Sequence, residues 1–332
     1  MRIVVVGVGA VGGVLAALLH EAGVSVTAVA RGRHLEAMRA AGLRLVSATR
    51  DVVIPVPTVG SLAEAAPRPG DVVVLAVKSQ DTMAVLEDLA ALGVDGVGVV
   101  CLQNGVENER VALRRVADVY GVCVMFPAAH LEPGVVHQLS SPVPGLLDVG
   151  RYPRGVDDTT TAISAAFGAA GFSSVARPDV MAWKYRKLLM NLGNAVEAVC
   201  GTQPSPGSSR GELYRAVLGE GEAVLAAAGI EVITAEQDHE RRGDLLDVPG
   251  MVTRRAELGG VGGSTWQSLR RGQGSVETDY LTGEVVLLGR LHGVPTPANE
   301  LFARLAADLR RRGGEPGSIS PDEAAERLAT AG

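Results

Sequence analysis

Three closely spaced glycines follow directly after a short apolar run at the start of the chain. Residues 3–6 read Ile-Val-Val-Val, and the glycines stand at positions 7, 9 and 12. An Ala/Leu-rich stretch of helical length covers 10–22, and β-branched residues return at 24–30. This order predicts a strand, a tight turn, a helix and a second strand parallel to the first.

The spacing of these glycines is typical of a turn that binds a dinucleotide. The first glycine permits the turn, the second lets the backbone approach a pyrophosphate, and the third lets the helix pack closely. Amides at the helix start would then bind the phosphates. The chain contains 42 glycines, and such a chain will show this spacing by chance as well. A glycine-rich turn that binds no nucleotide is therefore the alternative. Its place between strand and helix favours the nucleotide, and the candidate cofactor ligands are Gly7, Val8, Gly9, Ala10, Val11 and Gly12.

Arginine stands at the end of the second predicted strand, where an NAD site has an acidic residue. Residues 29–33 read Val-Ala-Arg-Gly-Arg. Arg31 could form a forked contact with a 2′-phosphate, and Arg33 could add a second contact. Exposed loop arginines in an Arg-rich chain are the alternative. The sequence therefore favours NADP(H) over NAD(H).

Strand and helix patterns continue to alternate through the first half of the chain. Strand candidates are 52–56, 72–77, 97–102 and 119–126, and helix candidates between them are 34–41, 82–91 and 107–116. This alternation predicts a largely parallel, doubly wound sheet. Beyond Pro178 the helical candidates are 179–199, 213–228, 277–291 and 297–309. We predict an α/β fold with a Rossmann-type domain at 1–175 and a mainly α-helical domain at 176–332.

Composition argues against several classes of function. The formal net charge is −6, and no Lys/Arg cluster alternates with aromatic residues, so no nucleic-acid partner is expected. The first apolar run is far shorter than the roughly 18 residues of a membrane span, and no charged leader precedes it. Cys101, Cys123 and Cys200 lie among valines without metal-ligand spacing, which indicates reduced, structural thiols. We expect a cytoplasmic protein that binds neither metal nor membrane.

Lysine and asparagine are rare in this chain. Lysine occurs only at 78, 184 and 187, and asparagine only at 104, 108, 191, 194 and 299. Arginine would serve wherever positive charge alone is needed, so the remaining lysines mark sites that need an ammonium group. Lys187, Asn191 and Asn194 are spaced i, i+4 and i+7, on one helix face. Asparagine is unfavourable inside a helix, so the stripe indicates a ligand, with a structural hydrogen-bonded stripe as the alternative.

Lys78 and Asn104 each follow a predicted strand. Open α/β sheets bind ligands at the carboxyl ends of their strands, so both residues are candidate ligand contacts. Simple turn residues are the alternative at each position.

Five separated motifs resemble those of the ketopantoate reductase (2-dehydropantoate 2-reductase) family. They are Gly7–Gly12 with Arg31, Ala76–Gln80, Leu102–Gly105, Trp183–Asn194 and Ser264–Tyr280. The resemblance runs over nearly the whole chain, and the order of the motifs is more specific than any one of them. It implies NADPH-dependent reduction of a 2-oxo acid to a 2-hydroxy acid, ketopantoate to pantoate being the named case. It also implies a helical domain like the C-terminal domain of 6-phosphogluconate dehydrogenase, for substrate binding or dimerisation.

The resemblance implies roles for single residues as well. Lys187 matches the catalytic lysine, and Lys184 is the runner-up, which we assign mainly to a solvated or domain-facing role. Glu277 matches an acid that hydrogen-bonds the substrate hydroxyl or orients the lysine. Lys78 would contact cofactor phosphate or ribose, and Asn104 would bridge nicotinamide and substrate. The further candidates for binding the substrate are Asn191 and Asn194. Either Ser264 or Thr265 would bind the substrate carboxylate, because the match to the family motif is shifted by one residue there.

Two departures from the family pattern concern the substrate. Ala195 stands where the family places its second helix asparagine, and Asn194 offers the same group one place earlier. Residues 201–209 contain no asparagine where ketopantoate reductases have one. A related reductase of another ketone or an imine is therefore one alternative, and a noncatalytic NADPH-sensing protein is another. The long Ala/Leu-rich helices fit either a homodimer interface or an internal core.

Overall fold

The computed structural model of the chain describes residues 1–201, 209–246, 248–258, 266 and 277–330. It divides into two compact units. The first is Met1–Lys184 with Ala235–Arg254, and the second is Tyr185–Thr234 with Arg255–Gly332. The domain boundary near residue 175 stays a prediction.

The described strands belong to the first unit. In chain order they are β1 (Ile3–Val6), β2 (Val26–Val29), β3 (Leu43–Val46), β4 (Asp51–Ile54), β5 (Thr58–Val59), β6 (Val72–Leu75), β7 (Gly98–Cys101), β8 (Val119–Met125), β9 (Ala128–Ala129), β10 (Val135–Gln138) and β11 (Leu146–Arg151). Seven of them form the main sheet, in the order β11-β8-β7-β6-β1-β2-β5. Its strand pairs are parallel except β11 with β8. The predicted α/β class with a mainly parallel sheet is thus confirmed.

A smaller sheet has the order β4-β3-β10-β9. Residues 52–56, one of the predicted strands of the parallel sheet, fall mostly in β4, which pairs antiparallel with β3. Only alternate residues of β3 are buried, and β4 is mainly exposed. Periodicity alone does not say which sheet such a strand joins.

Helices cover both faces of the main sheet. Those that begin in the first unit are α1 (Ala10–Glu21), α2 (Gly32–Ala41), α3 (Leu62–Ala65), α4 (Thr82–Ala91), α5 (Asn108–Leu113), α6 (Asp158–Ala169) and α7 (Val180–Asn191). One apolar core contains side chains of α1 and α6, and the other contains side chains of α3 and α4. Every residue of β1, β6, β7 and β8 is buried, as expected for strands covered on both faces.

The direction in which the chain adds strands to the sheet reverses beside β1. The connection from β1 leads to β2 on one side, whereas β6, β7 and β8 lie on the other. In open α/β sheets, ligands bind at the carboxyl ends of the strands next to such a reversal. The loops after β1, β6 and β7 therefore lie where a ligand is expected.

The described part of the second unit is helical, which confirms the predicted character of this part of the chain. After α7 come α8 (Gly193–Cys200), α9 (Arg210–Ala227), α10 (Ala235–Arg242), α11 (Val248–Glu257), α12 (Thr282–His292), α13 (Pro297–Arg312) and α14 (Pro321–Ala329). Of these, α10 and most of α11 belong to the first unit. Within the second unit α9 packs against α12 and α13. None of the described helices is both long enough and apolar enough to cross a bilayer.

Two predicted helices are interrupted. The chain predicted helical over 179–199 forms α7 and α8, which meet at Leu192. A Cβ atom on Gly193 would overlap the ring of Tyr214 in α9, so the close approach of α9 requires glycine at this junction. The stretch predicted helical over 277–291 begins as the 3₁₀ turn Glu277–Tyr280, before α12.

Candidate active site

The turn after β1 needs two of its three glycines for packing. Gly7 has a φ of +97°, and a Cβ atom there would lie 2.7 Å from the amide nitrogen of Val77. A Cβ atom on Gly12 would lie 2.8 Å from the Cβ of Ala76 and would overlap the Gly7 carbonyl oxygen. Gly9 differs, because a Cβ atom there would meet nothing within 4 Å. The fold thus requires Gly7 and Gly12, whereas Gly9 borders open space.

The start of α1 has the features that a phosphate group requires. Gly9 is the N-cap, no side chain caps the helix, and its first turn has no acidic residue. The amides of Ala10 and Val11 begin this helix, and Val8 precedes it. Open space, amide donors and the helix dipole together fit a bound pyrophosphate.

Arg31 follows β2 and is the N-cap of α2. Its side chain is 72% exposed, and its Nη2 lies 3.6 Å from Asp88 Oδ2. An ion pair this exposed contributes little free energy, so Arg31 can exchange Asp88 for another anion at small cost. Arg33, in the first turn of α2, is exposed as well.

A buried network of side chains ties the loop after β6 to the loop after β7. Gln103 donates from Nε2 to the Val77 carbonyl at 2.9 Å and to Thr82 Oγ1 at 2.8 Å. The Thr82 hydroxyl donates to Asn108 Oδ1 at 2.8 Å, and Asn108 Nδ2 donates to Ser79 Oγ at 3.0 Å. Lys78 directly precedes Ser79, and Asn104 directly follows Gln103; both are half-buried. The network thereby brings these two candidate residues to neighbouring positions at one edge of the sheet.

Lys184 has different surroundings from those predicted. The solvated role assigned to it is wrong, because its side chain is 2% exposed and its Nζ lies 2.5 Å from Oε1 of Glu109, which is fully buried. Nζ also donates to the Gln103 carbonyl oxygen at 3.0 Å. The rarity of lysine drew attention to Lys184, but its partner Glu109 comes from a distant part of the sequence.

Sequence reasoning missed Glu109, Thr82 and Asn108. It placed Ser79 and Gln103 inside family motifs but gave them no role. A usable signal existed for Asn108, which is one of only five asparagines. Glu109 had no such signal, because an acidic residue in the first turn of a helix is normally exposed and interacts with the helix dipole.

Burial explains the state of the Cys101 thiol at the end of β7. Burial, and next the charge of Glu109, raise the pKa of Cys101 well above its ordinary value, while Lys184 has a smaller opposite effect. The thiol therefore stays protonated and is a poor nucleophile. Cys101, Cys123 and Cys200 are buried, and none of them forms a disulfide.

The lysine and asparagine stripe is divided between two helices. Lys187 is half-buried in α7, and Asn191 is the last residue of that helix. Asn191 is 6% exposed, and its Nδ2 has no hydrogen-bond partner within the described part of the chain. A buried N–H donor without a partner costs free energy, because it has lost its hydrogen bonds to water. A ligand that accepts a hydrogen bond from Asn191 Nδ2 would remove that cost. Asn194 lies in the first turn of α8 and is half-buried.

The last three candidates are only partly covered by the structure. Glu277 begins the 3₁₀ turn Glu277–Tyr280. Ser264 and Thr265 lie outside the described residues. The roles of all three stay predictions.

Comparison with known proteins gives one consistent result. The family model "Ketopantoate reductase PanE/ApbA" matches residues 3–154, and the model of its C-terminal part matches residues 179–310. The 2-dehydropantoate 2-reductase of Mesorhizobium japonicum is 29% identical over 354 residues, which cover 96% of this chain and 100% of that protein. That of Pyrococcus horikoshii is 25% identical over 327 residues, with 95% and 99% covered.

Solved structures agree with the fold. A PanE/ApbA family ketopantoate reductase from Ralstonia eutropha JMP134 superposes with a TM-score of 0.79 at 27% identity, covering 94% of this chain and 99% of that chain. The first family model covers the part of the chain that forms the α/β sheet, and the second covers the part that is mainly helical. The chain belongs to the ketopantoate reductase family, whose members are nicotinamide-dependent oxidoreductases that act on a CH–OH/C=O pair.

Proposed function

We propose that the chain reduces 2-dehydropantoate (ketopantoate) to pantoate, a step of pantothenate biosynthesis. The observation that supports this most is the full-length match to relatives with this activity, which span both halves of the chain. The reaction consumes one NADPH and one proton and yields NADP⁺ and the 2-hydroxy acid. No other oxidant or reductant is required.

The reaction needs a hydride at the carbonyl carbon and a proton at the carbonyl oxygen. The nicotinamide, when bound, supplies the hydride. In the proposal the Lys187 ammonium hydrogen-bonds the carbonyl oxygen, polarises the C=O bond and gives up the proton. Glu277 hydrogen-bonds the resulting hydroxyl or orients Lys187.

Four further positions are assigned to the substrate. Asn104, Asn191 and Asn194 donate hydrogen bonds to it, Asn104 also contacting the nicotinamide, and Ser264 or Thr265 binds its carboxylate. The amide nitrogen of Asn191, buried and without a described partner, supports this assignment. Lys78 is assigned to the phosphate or ribose of the cofactor, beside the residues Gly7–Gly12.

The proposed cofactor is NADPH rather than NADH. Arg31 and Arg33 stand where an acidic residue would bind the ribose hydroxyls of NADH, and a guanidinium is suited to a 2′-phosphate. A structure of D-mandelate dehydrogenase with NADH and anilino(oxo)acetate shares the fold, with a TM-score of 0.78 at 21% identity over 94% of this chain and 99% of that one. That structure holds NADH, so we base the choice of cofactor on the residues after β2 rather than on the fold.

The test is a steady-state assay of the purified protein with ketopantoate, following the loss of NADPH absorbance across a range of pH. We expect saturable oxidation of NADPH and formation of pantoate, with NADH much less effective. No turnover of ketopantoate at any pH would refute the substrate assignment.

A related reductase of another ketone or of an imine is the second candidate. Ala195 and the absence of asparagine from 201–209 favour it, because the family pattern has an asparagine at each of these two places. A panel of 2-oxo acids and cyclic imines in the same assay distinguishes the two: a clear preference for ketopantoate rejects this alternative. Steady turnover of any of these compounds rejects the noncatalytic NADPH sensor.

Location and assembly are part of the same proposal. We expect the enzyme in the cytoplasm, where its three unbridged cysteines would stay reduced, and without a nucleic-acid partner. We expect a homodimer formed through the helices of the second unit. Size-exclusion chromatography with light scattering tests that assembly.

A further inference from the structure

A buried ion pair lies directly beside the loop that contains Asn104. Lys184 and Glu109 have exposed side-chain fractions of 2% and 0%, and neither has a role in the proposed reaction. Removing two charges from water costs free energy that their mutual attraction repays only in part, and apolar side chains of similar volume often give equal or greater stability. The pair is therefore poorly explained by stability alone.

The Lys184 ammonium holds one specific peptide group. Its hydrogen bond goes to the Gln103 carbonyl, which belongs to the peptide linking Gln103 to Asn104. The oxygen of a planar peptide group lies in one plane with the N–H and Cα of the next residue. A hydrogen bond that fixes the Gln103 carbonyl oxygen therefore also fixes the orientation of the backbone N–H and Cα of Asn104. The Gln103 side chain, bound to Val77 and Thr82, fixes the same residue from its other end.

The surroundings of the pair favour a compact cation. The chain uses arginine for 28 of its 31 basic residues, yet this position is lysine. On the facing strand β8 a Cβ atom at Gly121 would lie 3.2 Å from Glu109 Oε1 and 3.5 Å from Lys184 Cδ. The site is tightly packed, and an ammonium occupies less space there than a guanidinium would.

We propose that Lys184 and Glu109 form a positioning pair, which holds the Gln103–Asn104 peptide in the orientation that hydride transfer requires. Lys184 fixes the carbonyl oxygen, and Glu109 balances the charge so that the ammonium can stay buried. This inference rests on the role proposed above for Asn104, as the contact of nicotinamide and substrate. Neither residue touches the reacting atoms.

The experiment replaces both charges at once, so that no unpaired charge is left buried. In the double variant Lys184→Met/Glu109→Leu we expect an unfolding midpoint no lower than that of the wild type and an unchanged Kd for NADPH. The kcat should fall about 10²-fold, as for a misplacement of roughly 1 Å. If the apolar variant does not fold, the same measurements are made on Lys184→Gln/Glu109→Gln, which removes both charges but keeps hydrogen-bonding groups.

A matched control uses an ion pair at the opposite edge of the sheet. Arg2 and Asp71 precede β1 and β6, and Arg2 Nη2 lies 2.6 Å from Asp71 Oδ2. The control variant Arg2→Met/Asp71→Leu should keep the wild-type kcat. A double variant at Lys184 and Glu109 that keeps the wild-type kcat, or one that loses no more kcat than the control does, would overturn the proposal.

A readout without substrate separates this proposal from the function on which it rests. Amide hydrogen exchange over 102–108 should be faster in the Lys184/Glu109 double variant than in the wild type, and unchanged in the control. Unchanged exchange in the double variant refutes the positioning role, whether or not the wild type reduces ketopantoate. A further outcome is that the wild type does not reduce ketopantoate while exchange at 102–108 is faster in the double variant. In that case the pair holds the loop as inferred, and only the proposed substrate is refuted.

Discussion

Two lysines one helical turn apart have different tasks in α7. The ammonium of Lys184 is engaged with Glu109 and the Gln103 carbonyl, and it is almost fully buried. Lys187 is half-buried and is followed at i+4 by Asn191, whose Nδ2 lacks a partner within the described residues. A general acid must reach the substrate oxygen, so Lys187 is the better candidate for proton transfer.

Replacement of Lys187 by alanine tests that assignment. We expect kcat to fall about 10²- to 10⁴-fold, the usual contribution of a general acid, with the Kd for NADPH retained. Steady-state kinetics and fluorescence titration of NADPH measure the two effects. Arg215→Ala, at an exposed position in α9, is the control and should behave as the wild type. An unchanged kcat in Lys187→Ala would remove Lys187 from the chemistry.

Arg31 determines the cofactor preference in our proposal. A hydrogen bond to a charged group contributes roughly 1.5–3 kcal/mol, so Arg31→Ala should raise the Kd for NADPH about 10- to 100-fold. The Kd for NADH should change little, because NADH has no 2′-phosphate. The control is Arg39→Ala in α2, whose Nη2 pairs with Glu64 at 2.8 Å. Equal effects on both cofactors would show that Arg31 does not contact the 2′-phosphate.

At the scale of elements, the strand, turn and helix formed by β1 and α1 are specified by residues close together in sequence. Gly7 and Gly12 serve the packing of this unit, since a side chain at either would contact the loop after β6. Gly9 has no packing constraint. Its lack of a side chain is useful only if something approaches the backbone, which is what a pyrophosphate would do.

Single alanine substitutions at these glycines should separate folding from binding. Gly12→Ala should lower the free energy of unfolding by about 1–3 kcal/mol, because its Cβ has no room. Gly9→Ala should stay within about 1 kcal/mol of the wild type but should weaken NADPH binding. Denaturant unfolding and fluorescence titration measure these quantities. Wild-type NADPH binding by Gly9→Ala would mean that the phosphates do not lie against this turn.

At the scale of the whole molecule, residues 235–254 return to the first unit after helices of the second. Asp148 in β11 holds this segment: Arg241 reaches its two oxygens at 2.6 and 2.9 Å, and Arg177 binds it at 3.0 Å. The Asp148 side chain is 4% exposed. Arg254, at the end of the segment, donates to the Leu139 carbonyl at 2.6 Å.

Loss of Arg241 should therefore destabilise the first unit. We expect Arg241→Met to lower the free energy of unfolding by about 2 kcal/mol, less than the ~3–5 kcal/mol of a stranded buried charge, because Arg177 remains. Thermal and denaturant unfolding measure the effect. Glu240→Ala, exposed on the same helix, is the control and should cost far less. Equal stability of Arg241→Met and the wild type would show that Asp148 does not hold the segment.

Features that depend on neighbours along the chain could be predicted from the order of the residues. Runs such as Ile3–Val6 and Val72–Leu75 predicted the buried strands, and the glycines at 7, 9 and 12 predicted the turn between β1 and α1. The order of the motifs predicted the family. These inferences succeed because turn geometry and the periodicity of apolar residues are set by residues close together in sequence.

Features that depend on distant partners became visible only in the folded chain. Glu109 and Lys184 are 75 positions apart, and Asp148 and Arg241 are 93 apart. A charge that is paired in the core looks in sequence like one that is exposed on a helix. The sequence therefore predicts a solvated or domain-facing role for Lys184 and gives no role to Glu109. The need for glycine at 193, beside the division of 179–199 at Leu192, likewise comes from a distant residue, because Tyr214 of α9 lies against it. Contacts of this kind leave no periodic pattern, because they are chosen by the packing of elements rather than by the residues on either side.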